Sequence, residues 1–200
     1  CHAILNHISC GCLMSLATRT CIVEKPVHVQ LPHELAAEFW LRDVDAFYGT
    51  FTGGDPACSE ICKFWEMVAD SEWARSASFF PDIQRGPSHF TPLRFHGDDV
   101  PVTKTYSCLV LDLSSVVRFG LPNRLAKLLI ASIPLGEITD GGLEQVYSTI
   151  VWSMSRMFKG LWPSTDEHDR PWGRYSWRYK KQGQLCGPFR FVIVETLGDM

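Results

Sequence analysis

Leu93-Arg94-Phe95-His96-Gly97-Asp98-Asp99 joins a short strand-like segment to two adjacent carboxylates. On a strand, His96 and Asp98 share one face and Asp99 takes the other. Gly97 has no Cβ, so a ligand or a second backbone can approach there. A carboxylate in that place can ligate Mg²⁺, which prefers oxygen ligands and keeps several waters. The same residues also read as a strand-ending turn, because Gly and Asp favour turns for backbone reasons alone.

Downstream, Thr105–Leu113 (TYSCLVLDL) reads as a second strand, and Lys127–Ile133 as a strand or a helix that periodicity does not separate. Residues 141–158 carry the clearest helical period. Leu143, Val146, Tyr147, Ile150, Val151, Met154, Met157 and Phe158 fall on one arc, with Gly160 and then Pro163 to end the helix. Phe189–Glu195 (FRFVIVE) is a near-continuous apolar run that suits a strand buried on both faces, and Asp199 follows it.

Upstream, Val27–Leu31 alternates briefly, Pro32 suits the first position of a helix over 33–48, and a second helix is expected over 57–69. Residues 76–92 are turn-rich and read as a linker. The expected fold is therefore α+β or α/β. It comprises a poorly ordered Cys/His-containing segment at 1–21, a helical region at 22–80, and a mixed α/β region at 90–200.

Apolar residues make up 46% of the chain and charged residues 20%, enough for a sizeable core. The net charge of −3 hides an asymmetry. Residues 34–82 hold ten acids against Arg42, Lys63 and Arg75, whereas residues 170–194 hold six bases and no acid. No apolar run reaches membrane-spanning length, and Ala3–Ala17 lacks the basic start of a secretory signal. The eight cysteines are irregularly spaced. They read as reduced thiols of an intracellular protein, nuclear or cytoplasmic and not secreted. Cys1, His2, His7, Cys10 and Cys12 offer zinc-type ligands, but no repeated CxxC pair supports such a site. The chain starts at Cys1, which reads as a processed or partial product. Walker, GxGxxG, GxSxG and HExxH motifs are absent, so nucleotide kinases, dinucleotide enzymes, serine hydrolases and zincins have no sequence support.

The stretch Arg170, Trp172, Arg174, Trp177, Arg178, Lys180 and Lys181 interleaves bases with rings. That is the chemistry of single-stranded DNA or RNA binding, in which cations meet phosphates and bases stack on aromatics. It equally describes a solvated loop whose rings cover the core.

The order of three strands, a long helix and a buried strand resembles the ribonuclease-H-like fold shared by transposases, integrases and nucleases. The resemblance implies catalytic, metal-binding carboxylates at Asp98 and Asp199, with Asp99 a further candidate and Mg²⁺ the cofactor. A third carboxylate, expected on a later helix, has no counterpart here. VQLPHEL (29–35), PLRFHGDDVPVTK (92–104) and IVWSMSRMFKGLWPS (150–164) also resemble a multi-copy protein family of dinoflagellate algae. In that family the tetrad reads His-Gly-Asp-Gly, which singles out Asp98, and the copy number implies a transposon-derived origin. Together these resemblances imply a fragment or relic of a transposase/integrase-like, Mg-dependent nuclease, inactive as this chain. The alternative is a non-catalytic nucleic-acid-binding or scaffold protein.

Overall fold

A computed structural model describes residues 18–22, 26–117, 127–137 and 141–198. The fold is α+β: helices pack on a mixed four-stranded sheet. The described residues open with an antiparallel hairpin, β1 (Thr18–Ile22) and β2 (Pro26–Gln30), whose first strand overlaps the end of the segment at 1–21 expected to be poorly ordered. The helix expected over 33–48 is two helices, α1 (Pro32–Arg42) and α2 (Val44–Phe51). They part at Asp43, whose carboxylate accepts from Ala46 N–H at 2.9 Å. An Asp that can cap competes with continuing the helix. Next comes α3 (Ser59–Val68), which buries Ile61 and Trp65.

The stretch read as a linker is folded. It holds α4 (Glu72–Ser76), α5 (Phe80–Arg85) and a single 3₁₀ turn at Pro87–His89. Phe80 and Ile83 are buried, and Trp65 Nε1–H donates to the Phe90 carbonyl at 2.6 Å. Prolines at helix starts and a glycine at the end of α5 mimic linker composition while framing short helices. One apolar core runs from Phe47, Phe51 and Ile61 of the helices to Leu93, Leu111 and Ile130 of the sheet.

The sheet comprises β3 (Phe90–Thr103), β4 (Tyr106–Ser115), β5 (Lys127–Pro134) and β6 (Arg190–Leu197), in the order β5-β4-β3-β6. The pairs β3/β4 and β4/β5 are antiparallel, and β6 runs parallel to β3. The long helix α6 (Gly142–Lys159) lies between β5 and β6 in the chain, as a parallel pairing requires. Gly160 ends it in the left-handed conformation, φ 70°, and its N–H bonds to the Arg156 carbonyl.

Two strand expectations change. The strand does not stop at His96 but carries through the acidic tetrad to Thr103, because pairing with β4 overrides the turn preference of Gly-Asp-Asp. And β6 is an edge strand among the described residues. Phe191 and Val192 are buried, while its last two residues are exposed. A continuous apolar run shows that a strand is largely covered, not how many strands flank it.

Candidate functional site

Along β3 the side chains alternate. Leu93 and Phe95 enter the core, where the Phe95 ring lies 6.5 Å from that of Tyr147 on α6. Arg94, His96 and Asp98 take the other face, and exposure rises along the strand towards Asp98. Two polar clusters stand there. Arg94 Nε–H donates to Glu195 Oε2 at 2.6 Å, tying β3 to β6. Next to it, His96 Nδ1 lies 3.1 Å and Lys127 Nζ 3.0 Å from Asp112 Oδ2.

Asp112 is 5% exposed and is the anchor of this second cluster. A carboxylate Asp112 only accepts hydrogen bonds, so the neutral His96 tautomer that fits this contact carries its proton on Nδ1 and has Nε2 as the acceptor. The 3.5 Å approach of Lys127 Nζ to the same Nδ1 is then a contact between donors sharing one acceptor. Asp112 Oδ1 is buried without a hydrogen bond among the described residues. Neither Asp112 nor Lys127 was singled out from the sequence. The available signal was one charged residue inside the apolar run of β4. Its partners sit 16 residues before it and 15 after it, on the two flanking strands.

Asp98 faces Val110 across β4 and makes no hydrogen bond or ion pair among the described residues. Asp99 follows it on the exposed part of β3. Asp199 lies outside the described residues, and so do the Cys/His ligand candidates of residues 1–12. Its chain neighbour Gly198 is described. A Cβ built on Gly198 would stand 1.8 Å from the Gly97 carbonyl oxygen, and Gly198 has φ +128°. Thus the residue before Asp98 touches the residue before Asp199. The freedom of Gly97 serves the approach of another backbone. Among the described residues, no group of three or more His, Cys, Asp and Glu side chains is placed to share a metal ion.

The basic-aromatic stretch sits elsewhere. It contains α7 (Trp177–Lys181) and belongs to the connection from the C-terminal end of α6 to the start of β6. Asp98 pairs beyond the opposite end of β6, whose Leu197 faces His96. Its connections therefore tie this stretch to the start of β6, the end away from Asp98. Its cations divide into two kinds. Arg178 Nε–H and Nη2–H donate to the two oxygens of Glu34 at 2.5 and 2.9 Å, and its guanidinium lies 5.2 Å from the Trp172 ring and 4.8 Å from Trp177. Arg170 binds Asp166, Trp172 Nε1–H donates to the Pro163 carbonyl, and Lys181 lies 4.7 Å from the Trp162 ring. These four side chains hold the loop together. Arg174 and Lys180 are exposed, beside a fully exposed Tyr175 and the exposed Trp177 and Tyr179.

Below Glu34 lies a buried pair that sequence reasoning missed. His33 Nδ1 is 2.7 Å from Ser153 Oγ on α6, and the rings of Trp152 and Trp162 meet the imidazole edge-on. Both residues are almost wholly buried, so no substrate reaches the Ser–His contact. Burial, with the Arg178 and Arg156 charges adding to it, pushes the His33 pKa down to about 3. The native state therefore refuses a proton that the unfolded chain binds below its ordinary value of 6.5. Stability from this residue is complete above pH 6.5 and falls on acidification towards pH 3, by up to about 1.4 kcal/mol per pH unit. Urea unfolding at stepped pH checks this, and His33→Gln is expected to flatten that limb of the profile.

No helix among the described residues is long and apolar enough to cross a membrane, and Cys58, Cys62, Cys108 and Cys186 are free thiols. No family model, no curated protein and no solved structure matches the chain.

Proposed function

We propose that this chain is a metal-dependent phosphodiester-processing protein, or its relic, in the manner of the transposase and integrase nucleases. Asp98 and Asp199 would hold a divalent cation, and single-stranded DNA or RNA would be the substrate class. One observation carries this reading: Gly97 and Gly198, the residues immediately before the two acids, are in contact across parallel neighbouring strands. The strand order supports it, since the acid-bearing β3 is central and β6 runs beside it.

The residues suit a hard cation. Asp98 is exposed and carries no competing ion pair among the described residues, so its oxygens are open to Mg²⁺ and its waters. When bound, such an ion supplies charge stabilisation at a phosphoryl oxygen and acidifies bound water. The chain's own contribution lies on the same face of β3. His96 offers Nε2 as a proton acceptor, held in orientation by Asp112, and Lys127 adds positive charge where a phosphate would lie. With two carboxylates rather than three, metal binding is expected and turnover is expected to be slow.

Calorimetric titration with MnCl₂ and MgCl₂ tests the reading. The wild type is expected to bind one ion, and Asp98→Asn and Asp199→Asn each to lose at least tenfold in affinity. No heat with the wild type, or equal binding by Asp98→Asn, removes the nuclease reading. It would leave the alternative of a non-catalytic nucleic-acid-binding protein, supported by the exposed Arg174, Tyr175 and Lys180.

A further inference from the structure

A cleft of about 470 Å³ opens at the other end of the sheet, between α5, the C-terminus of α6 and the start of β6. It is eight residues along β3 from Asp98, about 26 Å at the usual strand rise. Its volume lies within the range of small-ligand sites, about 300–1,000 Å³. We propose that it binds a nucleotide unit, either a free nucleotide or one residue of a single strand, through its phosphate and its flat ring.

The charges point to an anion. Lys159 in the last turn of α6 and Arg190 at the start of β6 flank the cleft, with His89 and Arg85 on its other rim. Asp82 is the one acid among the lining residues, and it is already ion-paired to Arg85. Lys159 has no ion pair among the described residues. Arg190 is aimed by its surroundings rather than by an acid. Its stem passes over Gly160, where an added Cβ would stand 3.4 Å from Arg190 Cγ, and its guanidinium lies 5.6 Å from the Phe90 ring. Two cations without carboxylate partners therefore stand together on one wall.

The rest of the wall points to a ring. Leu185 is 72% exposed, an apolar side chain at the cleft with nothing over it, next to Pro188 and the buried Phe90 and Phe189. A small inorganic anion would use the cations and leave this apolar surface wet. A nucleotide uses both, because phosphate pairs with Arg and Lys while the base covers the exposed apolar side chain of Leu185. The inference does not rest on the carboxylate pair at Asp98, and the two sites are separable by mutation.

The test is equilibrium binding by the full chain with three probes: AMP, a ten-residue oligo-dT and inorganic phosphate. AMP and oligo-dT are expected to bind at least tenfold more tightly than phosphate. Lys159→Ala, an exposed change that leaves the fold intact, is expected to weaken both severalfold, and Lys159→Ala/Arg190→Ala at least tenfold. For oligo-dT the double variant should also flatten the plot of log K against log salt by about 1.4, the effect of two lost phosphate contacts on a single strand. Binding of AMP alone identifies a free nucleotide as the ligand, and binding of oligo-dT alone identifies a strand; either upholds the site. Gly49→Ala, at an open position on α2 away from both sites, should change none of these values. Absence of binding by the wild type, phosphate binding as tightly as AMP, or affinities unchanged in Lys159→Ala and the double variant would overturn it. So would loss of all binding in an Arg174→Ala/Lys180→Ala variant, which would transfer the site to the exposed loop.

Discussion

Arg178→Ala is expected to lower stability by about 3–5 kcal/mol, the usual cost of breaking a buried ion pair by removing one of its members. The Arg178 guanidinium bridges both oxygens of Glu34, whose side chain is only 4% exposed, and the Trp172 and Trp177 rings lie against it. The pair joins the loop before β6 to the first turn of α1, so its loss frees a long connection as well as a charge. It also removes one of the charges that keep His33 neutral, so His33 takes up a proton at higher pH than before. Chemical denaturation of the wild type, Arg178→Ala, Glu34→Gln and the double variant measures the coupling. The double variant is expected to be more stable than Arg178→Ala, because it also removes the buried Glu34 charge. A loss below about 1 kcal/mol in Arg178→Ala would mean that the pair is solvated and that Arg178 is available to a ligand.

Gly198→Ala is expected to be the most damaging small change in the sheet. The new methyl would overlap the Gly97 carbonyl, and φ +128° is a conformation that residues with a Cβ rarely adopt. Backbone strain and overpacking together cost about 2–4 kcal/mol, unless the end of β6 peels away from β3. Peeling would spare stability and separate the two acid-bearing segments instead. Either outcome is expected to abolish divalent-cation binding, whereas Gly49→Ala, at an open position on α2, is expected to leave it intact. Thermal melts with and without MnCl₂ distinguish the two routes. Unchanged melting together with unchanged metal response would contradict the contact.

The helix α6 was legible because its apolar residues repeat at the helical period and a left-handed glycine closes it, both local signals. Of the sheet strands, β3, β4 and β6 were legible as apolar runs, while Lys127–Ile133 read as a strand or a helix. The extent of β3 was not, because Gly97-Asp98-Asp99 has the composition of a turn and only pairing with Val110 and Leu109 on β4 holds it extended. The break between α1 and α2 was equally hidden, since the apolar period runs on through Asp43. At the site, alternation placed His96 and Asp98 on one face, but the Asp112–Lys127 partnership depends on a register between three strands. Arg178 shows the limit most clearly. Its sequence neighbours are bases and rings, which suggests nucleic acid, while the carboxylate that claims it lies 144 residues away. The exposed Arg174 and Lys180 look the same in sequence.

The most direct measurement is Mn²⁺-induced line broadening of backbone amide resonances in the full chain. Substoichiometric Mn²⁺ is expected to broaden His96 to Val100, their β4 partners Leu109 to Leu111, and Glu195 to Gly198, and to spare α7. Asp98→Asn should erase that pattern without shifting the remaining resonances. Broadening that is absent, spread evenly over the acidic helices, or unchanged in Asp98→Asn would contradict a metal site shared between the ends of β3 and β6.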